Sequence, residues 1–325
     1  MVNFEYLEPT RIEDLPALLG KRWGQNAVLA GGTDLLDQLK EKLIQPERVV
    51  NIKRIEELQG VRDTGKGLDI GALTTIAQLE RFLQGKPEYP VLAQAAAVIA
   101  TPQLRNMGTL GGNLCQRPRC WYFRGKEYPC LKKGGYKCFA VEGLNKYHAI
   151  FEGGPSFIVH PSDAAPALQA LGARLEIYGP AGRREIPIEG FFQYPDENLR
   201  RENLLQADEI LTRIRVPKPA VGARSTYLKF REKQSLDFAL SSVAALLTLE
   251  GKKVVAARLV LGGVAPIPYR VPAAEAELEG KQLSADSIAK AAAAAIEGAQ
   301  PLSDNEFKVT LTQNLIRRAL ESLAA

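Results

Sequence analysis

The chain has 325 residues, 46% hydrophobic and 24% charged, which is enough apolar material for real cores and excludes a disordered polyelectrolyte. At about 100–200 residues per domain, two or three domains are expected. The net charge is only +5, no apolar run is long enough to span a membrane, and Met1-Val2-Asn3-Phe4-Glu5 lacks the basic-then-apolar pattern of a secretory signal. The expectation is a cytoplasmic protein with no membrane partner.

In chain order, Thr10-Arg11-Ile12-Glu13 reads as a capping box opening a helix through Leu19. Ala27 to Ala30 is a short buried strand that runs into Gly31-Gly32-Thr33-Asp34, and Leu35 to Leu43 is a helix. Val49 to Ile52 is a second strand. Strand, glycine turn and helix in that order let backbone N–H groups face a phosphate, although most Gly-Gly turns are only turns. A second unit begins near Gly60. Leu68 to Gly71 is a strand, Thr75 to Leu83 and Tyr89 to Ile99 are helices, and Thr101-Pro102 stops the second helix. A second glycine loop, Asn106 to Asn113, follows, and the two loops could clamp one diphosphate. Asp163 to Leu171 is a helix, and Ala173 to Ile177 and Glu209 to Val216 are strands. After the linker Pro217 to Gly222 the texture changes. Ser241 to Leu249 and Val254 to Leu261 form a hairpin, and Ile288 to Ile296 and Lys308 to Leu323 are helices.

All four cysteines, Cys115, Cys120, Cys130 and Cys138, lie within 24 residues, spaced C-x4-C-x9-C-x7-C. Four thiols close together in a chain expected to stay reduced suit a metal centre. Iron–sulfur clusters take four thiolates, and structural zinc often does, usually with tighter pairs than these. Disulfides or free thiols are the remaining readings. Cys115 to Tyr147 also carries eight basic and two acidic residues, net +6, which leaves the rest of the chain near −1. That concentration fits a solvated loop, compensation of an anionic cluster, or docking of an acidic electron carrier. Trp121, Tyr122 and Phe123 could shield a cluster or simply anchor the loop. His148 and His160, the only histidines, read as structural.

Four motifs in order carry a resemblance: Ala30-Gly31-Gly32-Thr33-Asp34, Arg105 to Asn113, Ser162-Asp163, and Gly262-Gly263-Val264-Ala265-Pro266-Ile267-Pro268. Together they resemble the FAD-binding medium subunits of the molybdenum hydroxylases, the xanthine dehydrogenase and carbon monoxide dehydrogenase family. The resemblance implies an α+β fold. An FAD-binding domain of the vanillyl-alcohol-oxidase type, with two α/β subdomains (1–58 and 59–217), precedes a small domain of antiparallel sheet and helices (218–325). Fifty residues separate Asn113 from Asp163, far more than in most of the family, so the cysteine segment (about 115–157) is an insertion. It resembles the β subunits of 4-hydroxybenzoyl-CoA reductases, whose inserted loop holds a [4Fe–4S] cluster. All four cysteines are then its implied ligands.

The resemblance also implies cofactor contacts. Leu29, Ala30, Gly31, Gly32, Thr33, Asp34 and Leu35 form the first FAD loop, and Thr109, Gly111, Gly112 and Asn113 the second. Ile99 and Leu211 match apolar flavin contacts, and Asp163 and Lys229 match polar ones. Read alone, Asp163 could be a helix N-cap and Lys229 a surface residue. No acid–base or nucleophile constellation is visible, so no catalytic residue is assigned and the cofactors carry the chemistry. The implied role is an electron-relay subunit. A ferredoxin-type carrier would supply electrons to a large molybdopterin subunit and a small [2Fe–2S] subunit for reductive dehydroxylation of an aroyl-CoA. The alternatives are an oxidative hydroxylase exporting electrons through the cluster, and a zinc-stabilised nucleic-acid-binding module. Only the last expects a nucleic-acid partner.

Overall fold

The computed structural model describes residues 2–234 and 236–324. Three sheets organise the chain. The first holds β1 (Glu5–Leu7), β2 (Asn26–Leu29) and β3 (Arg48–Asn51), all parallel, with β3 central. Val28, Val50 and Ile52 pack with Ile12, Leu15 and Leu19 into a small core. The expected capping box at Thr10 does not form. Arg11 precedes a 3-10 turn with no side-chain cap, and the helix proper starts at Leu15. Pro16 explains the delay, because proline lacks an N–H and fits the first helical turn best.

The second sheet is antiparallel throughout: β4 (Val61–Asp63), β5 (Gly67–Gly71), β6 (Arg174–Gly179), β7 (Gly182–Pro187) and β8 (Ile210–Pro217), in the order β4-β5-β8-β6-β7. Leu68, Ile70, Leu175, Ile177, Leu211 and Ile214 share a core with the helices Ile76–Leu83, Pro90–Ala97 and Ala164–Ala170. The edge strand β7 shows little apolar alternation. It is held by cross-strand ion pairs instead, Arg183 to Glu176 at 2.9 Å and Arg184 to Glu209 at 2.8 Å. Charge on an edge also discourages further strand addition.

Thr101-Pro102 starts a helix as well as ending one. Thr101 caps Pro102–Met107 by accepting from the Leu104 N–H. The expected glycine loop likewise contains a short helix, Leu110–Cys115, capped by Thr109.

The third sheet is antiparallel, β12-β11-β10-β9, with β9 (Ala223–Phe230), β10 (Ser241–Glu250), β11 (Lys253–Gly262) and β12 (Tyr269–Arg270). The helices Ala285–Ala294 and Phe307–Ala324 bury Ile288, Ile316 and Leu320 against Val243, Leu247 and Leu259. The antiparallel C-terminal module is therefore as expected. Among the described residues, no helix is long and apolar enough to cross a membrane.

The insert is stitched to this module. Lys308, fully buried, donates to the carbonyls of His148 (2.8 Å) and Gly263 (2.6 Å), and Asn305 Nδ2 donates to the His148 carbonyl at 3.1 Å. Burial lowers the Lys308 ammonium to about 7. The unfolded chain keeps that proton up to about pH 10.4, so between pH 7 and 10 it binds more protons than the folded chain and stability rises with pH. Going from pH 7 to pH 9 should stabilise the fold by about 2 kcal/mol, and Lys308→Met should abolish that gain. Urea melts at both pH values check this, and equal slopes in the two proteins would refute it.

Candidate functional site

The two glycine loops meet. Gly31 lies so close to the backbone of residue 107 that a Cβ there would sit 2.1 Å from the Met107 carbonyl oxygen. Gly32, at φ +76°, turns the chain back at a position that favours glycine. Beyond this contact opens a cavity of about 280 Å³, walled by Thr33, Asp34, Ile99, Thr109, Gly112, Asn113, Asp163 and Lys229, among others. A second cavity of about 410 Å³ shares Arg119, Pro161, Asp163, Leu236, Asp237 and Phe238 with it, so the two form one elongated cleft. The second cavity is also lined by Cys120, Trp121, Tyr147, His148 and Ser162.

Other expected contacts lie outside this wall. Leu29 and Leu35 pack with Leu39 and Val49, and Ala30 packs beside Val50 and Ile52. Leu211 sits in the β8 core. Gly111 faces Ala72, whose Cβ would lie 2.8 Å from an added Cβ, whereas Gly112 is exposed and would meet only the Thr109 hydroxyl at 3.0 Å. Sequence pattern names the loop, but which of two adjacent glycines faces the cleft depends on helix phase.

Asp163 is at the N-cap position, yet its side chain does not cap the helix. One oxygen accepts from Tyr227 Oη and the other from Lys229 Nζ, both at 2.7 Å. The cap is Ser162, whose Oγ accepts from the Ala165 N–H (2.9 Å) and donates to Asn113 Oδ1 (2.5 Å). Lys229 is buried, not surface, and also donates to the Val98 carbonyl at 3.3 Å. Ala100, in the same wall, holds φ +45°, an uncommon conformation for a residue with a Cβ and one that clusters at functional sites. The cleft thus combines an exposed glycine edge, hydroxyl and amide groups, and a buried ion pair, a set that fits an elongated dinucleotide with a diphosphate at its middle.

The insert differs more from expectation. Six of its eight cations are paired. Arg119 and Arg124 bind Asp34 at 3.2 and 2.7 Å, and the Arg117 N–H donates to the same carboxylate at 2.9 Å. Arg117 and Lys132 bind the buried Glu202 at 2.6 and 2.9 Å. Lys137 binds Glu142, and Lys146 binds Glu232. The +6 segment is therefore turned largely onto the protein's own acids, and Lys132 is 4% exposed. A docking surface for an acidic carrier does not follow from the charge count, because Asp34, Glu202 and Glu232, which pair with five of these cations, lie outside the insert.

The four thiols stand in different surroundings. Cys115 packs against the core of the second sheet and senses the charge of Arg201, while Cys120 senses Cys130 and Cys138. Burial pushes both the Cys115 and the Cys120 thiol up to about 12. Among the described residues, no group of three or more His, Cys, Asp or Glu side chains is placed to hold a single metal ion. His148 Nε2 lies 3.2 Å from Cys120 Sγ, and burial lowers this imidazole to about 4. His160 is a core residue, 4.7 Å from the Phe192 ring. Of the three aromatics, Tyr122 anchors the loop, lying 5.0 Å from Tyr128 and 6.0 Å from Phe139. Phe123 is buried under Arg117, and Trp121 is half-exposed against Tyr147.

Comparison with known proteins agrees with the fold. Residues 2–219 match the FAD binding domain in molybdopterin dehydrogenase, and residues 225–323 the CO dehydrogenase flavoprotein C-terminal domain. The chain is 34% identical over 315 residues to an aldehyde oxidoreductase FAD-binding subunit of Escherichia coli, covering 95% of each. It is 31% identical to the carbon monoxide dehydrogenase medium chain of Hydrogenophaga pseudoflava, covering 98% of this chain and 96% of that one. A solved carbon monoxide dehydrogenase from the same organism superposes with a TM-score of 0.79 at 31% identity, over 99% of this chain and 97% of that one. The chain belongs to the FAD-binding medium subunits of the molybdenum hydroxylase family, and is an FAD-binding oxidoreductase subunit.

Proposed function

We propose that this chain holds one FAD non-covalently in the cleft between residues 31–34 and 109–113, and works as the flavin subunit of a complex with a large molybdopterin subunit and a small [2Fe–2S] subunit. The observation that carries the placement is the exposed edge of Gly112 beside Thr109, Asn113 and Thr33 in the wall of one cavity. Thr109 and Asn113 would offer polar contacts to the diphosphate, Ile99 an apolar contact, and the Asp163–Lys229 pair would orient polar atoms where the two cavities join. Leu236 and Phe238, which line both cavities, would keep water from the bound ring. When bound, FAD supplies the conversion between two-electron and one-electron transfers. Purified full-length protein should carry one FAD per chain by visible absorbance after acid release. A chain that neither retains FAD nor takes it up on reconstitution would overturn the placement.

A narrower reading, a relay subunit of a 4-hydroxybenzoyl-CoA reductase-like complex with a [4Fe–4S] cluster, is favoured by one observation. Cys120 lines the cleft, and Cys130 and Cys138 are near enough for their charges to act on its thiol. A four-iron cube is wider than a single ion, so its ligands stand further apart than those of a mononuclear site. On this reading Cys115, Cys120, Cys130 and Cys138 are the ligand set, and His148, at 3.2 Å from Cys120 Sγ, is a neighbour of one ligand. Anaerobically prepared protein should contain about four iron and four sulfide per chain. Cys115→Ala and Cys120→Ala should each lose or degrade the cluster while FAD stays bound. Stoichiometric zinc without iron rejects the cluster.

A further inference from the structure

Arg119 belongs to the insert, yet it lines both cavities of the cleft, and no other cation of the insert lines either among the described residues. Its guanidinium is fixed from three sides. Nη2 lies 3.2 Å from Asp34 Oδ1 and 3.2 Å from Gln116 Oε1, and the group stands 5.1 Å from the centre of the Phe238 ring. Both of those bonds use one nitrogen. Nε is buried and has no partner, and an unpaired buried donor is costly unless a ligand satisfies it.

The charges around it point the same way. Asp34 stands in the wall of the cavity expected to take the diphosphate, where a bare carboxylate would repel a phosphate. Arg124 also binds Asp34, at 2.7 Å, and reaches Asp37 at 3.7 Å, so the Asp34 carboxylate faces two guanidiniums and its charge is offset. Arg124 does not line the cleft, whereas Arg119 does. A guanidinium with donors left over after binding a carboxylate is well suited to an anionic oxygen.

We propose that Arg119 is a diphosphate-binding residue, so that FAD is retained by a side chain of the cysteine insert as well as by the two glycine loops. The proposal rests on the cofactor placement above. It also joins the insert to the flavin, because Cys120 follows directly in sequence.

The test uses full-length protein stripped of flavin and titrated with FAD, together with 31P NMR of the bound cofactor at saturating FAD. Arg119→Gln should weaken FAD by about tenfold to a hundredfold, the range for losing a charge-assisted hydrogen bond, and should move the diphosphate resonances. Arg119→Lys keeps the charge but not the Nε–H, and should fall between wild type and Gln. It also serves if the Gln variant does not fold. Arg124→Gln, which alters Asp34 from outside the cleft, should leave the resonances in place. Unmoved resonances in both Arg119 variants, or an equal movement in Arg124→Gln, would reduce Arg119 to an anchor of the insert and overturn the assignment. A Gly112→Val chain that keeps its FAD would overturn the placement itself. Loss of FAD there with no change at Arg119 overturns only the assignment.

Discussion

Gly112→Val is expected to give a folded protein without flavin, while Gly111→Val should give a destabilised one. At Gly112 the nearest atom to an added Cβ is the Thr109 hydroxyl at 3.0 Å, and the residue is exposed, so the fold can accept the side chain. The two γ-methyls would then occupy the space in which a diphosphate must approach the backbone. Loss of two or more charge-assisted contacts at about 1.5–3 kcal/mol each lowers affinity by at least about a hundredfold. At Gly111 the added Cβ would lie 2.8 Å from the Ala72 Cβ and 2.9 Å from its carbonyl oxygen, both part of a buried packing contact. Overpacking of that kind costs about 1–3 kcal/mol or more. Flavin content and thermal melts on both variants separate the effects. If Gly112→Val keeps its flavin, the diphosphate lies elsewhere.

Lys229→Met should destabilise the protein by about 3–5 kcal/mol, the usual cost of leaving one member of a buried ion pair alone. Lys229 and Asp163 are 3% and 6% exposed at the side chain and 2.7 Å apart. Without the ammonium, the carboxylate keeps only the Tyr227 hydroxyl as a side-chain donor among the described residues. The double variant Asp163→Leu, Lys229→Met removes both charges and should recover much of that loss. Urea melts across the four-protein cycle measure the coupling, and additive effects would show that the pair is not energetically linked. FAD should be lost from all three variants, because the pair sits where the two cavities join.

The sequence by itself determined the elements whose signal is local. Gly67–Gly71, Ile210–Pro217 and the hairpin of Ser241–Glu250 and Lys253–Gly262 are largely apolar runs between turn residues, and each lies within a residue or two of its expected limits. The glycine motifs and the resemblance they carry located both loops of the cleft. The misses share a cause. The edge strand Gly182–Pro187 is stabilised by ion pairs to Glu176 and Glu209, whose choice depends on strand order. The short strand Glu5–Leu7 exists because β3 pairs with it more than forty residues later.

The insert makes the point most sharply. Its cysteine count suggested four equivalent ligands and its charge count a surface patch. Only the tertiary structure sets Cys115 into the core of another sheet, brings His148 to Cys120, and turns Arg117, Arg119, Arg124 and Lys132 onto Asp34 and Glu202. Periodicity records which residues are buried along a few turns of chain. It does not record which buried group a charge or a thiol will meet, because that follows from packing between segments 28 to 90 residues apart.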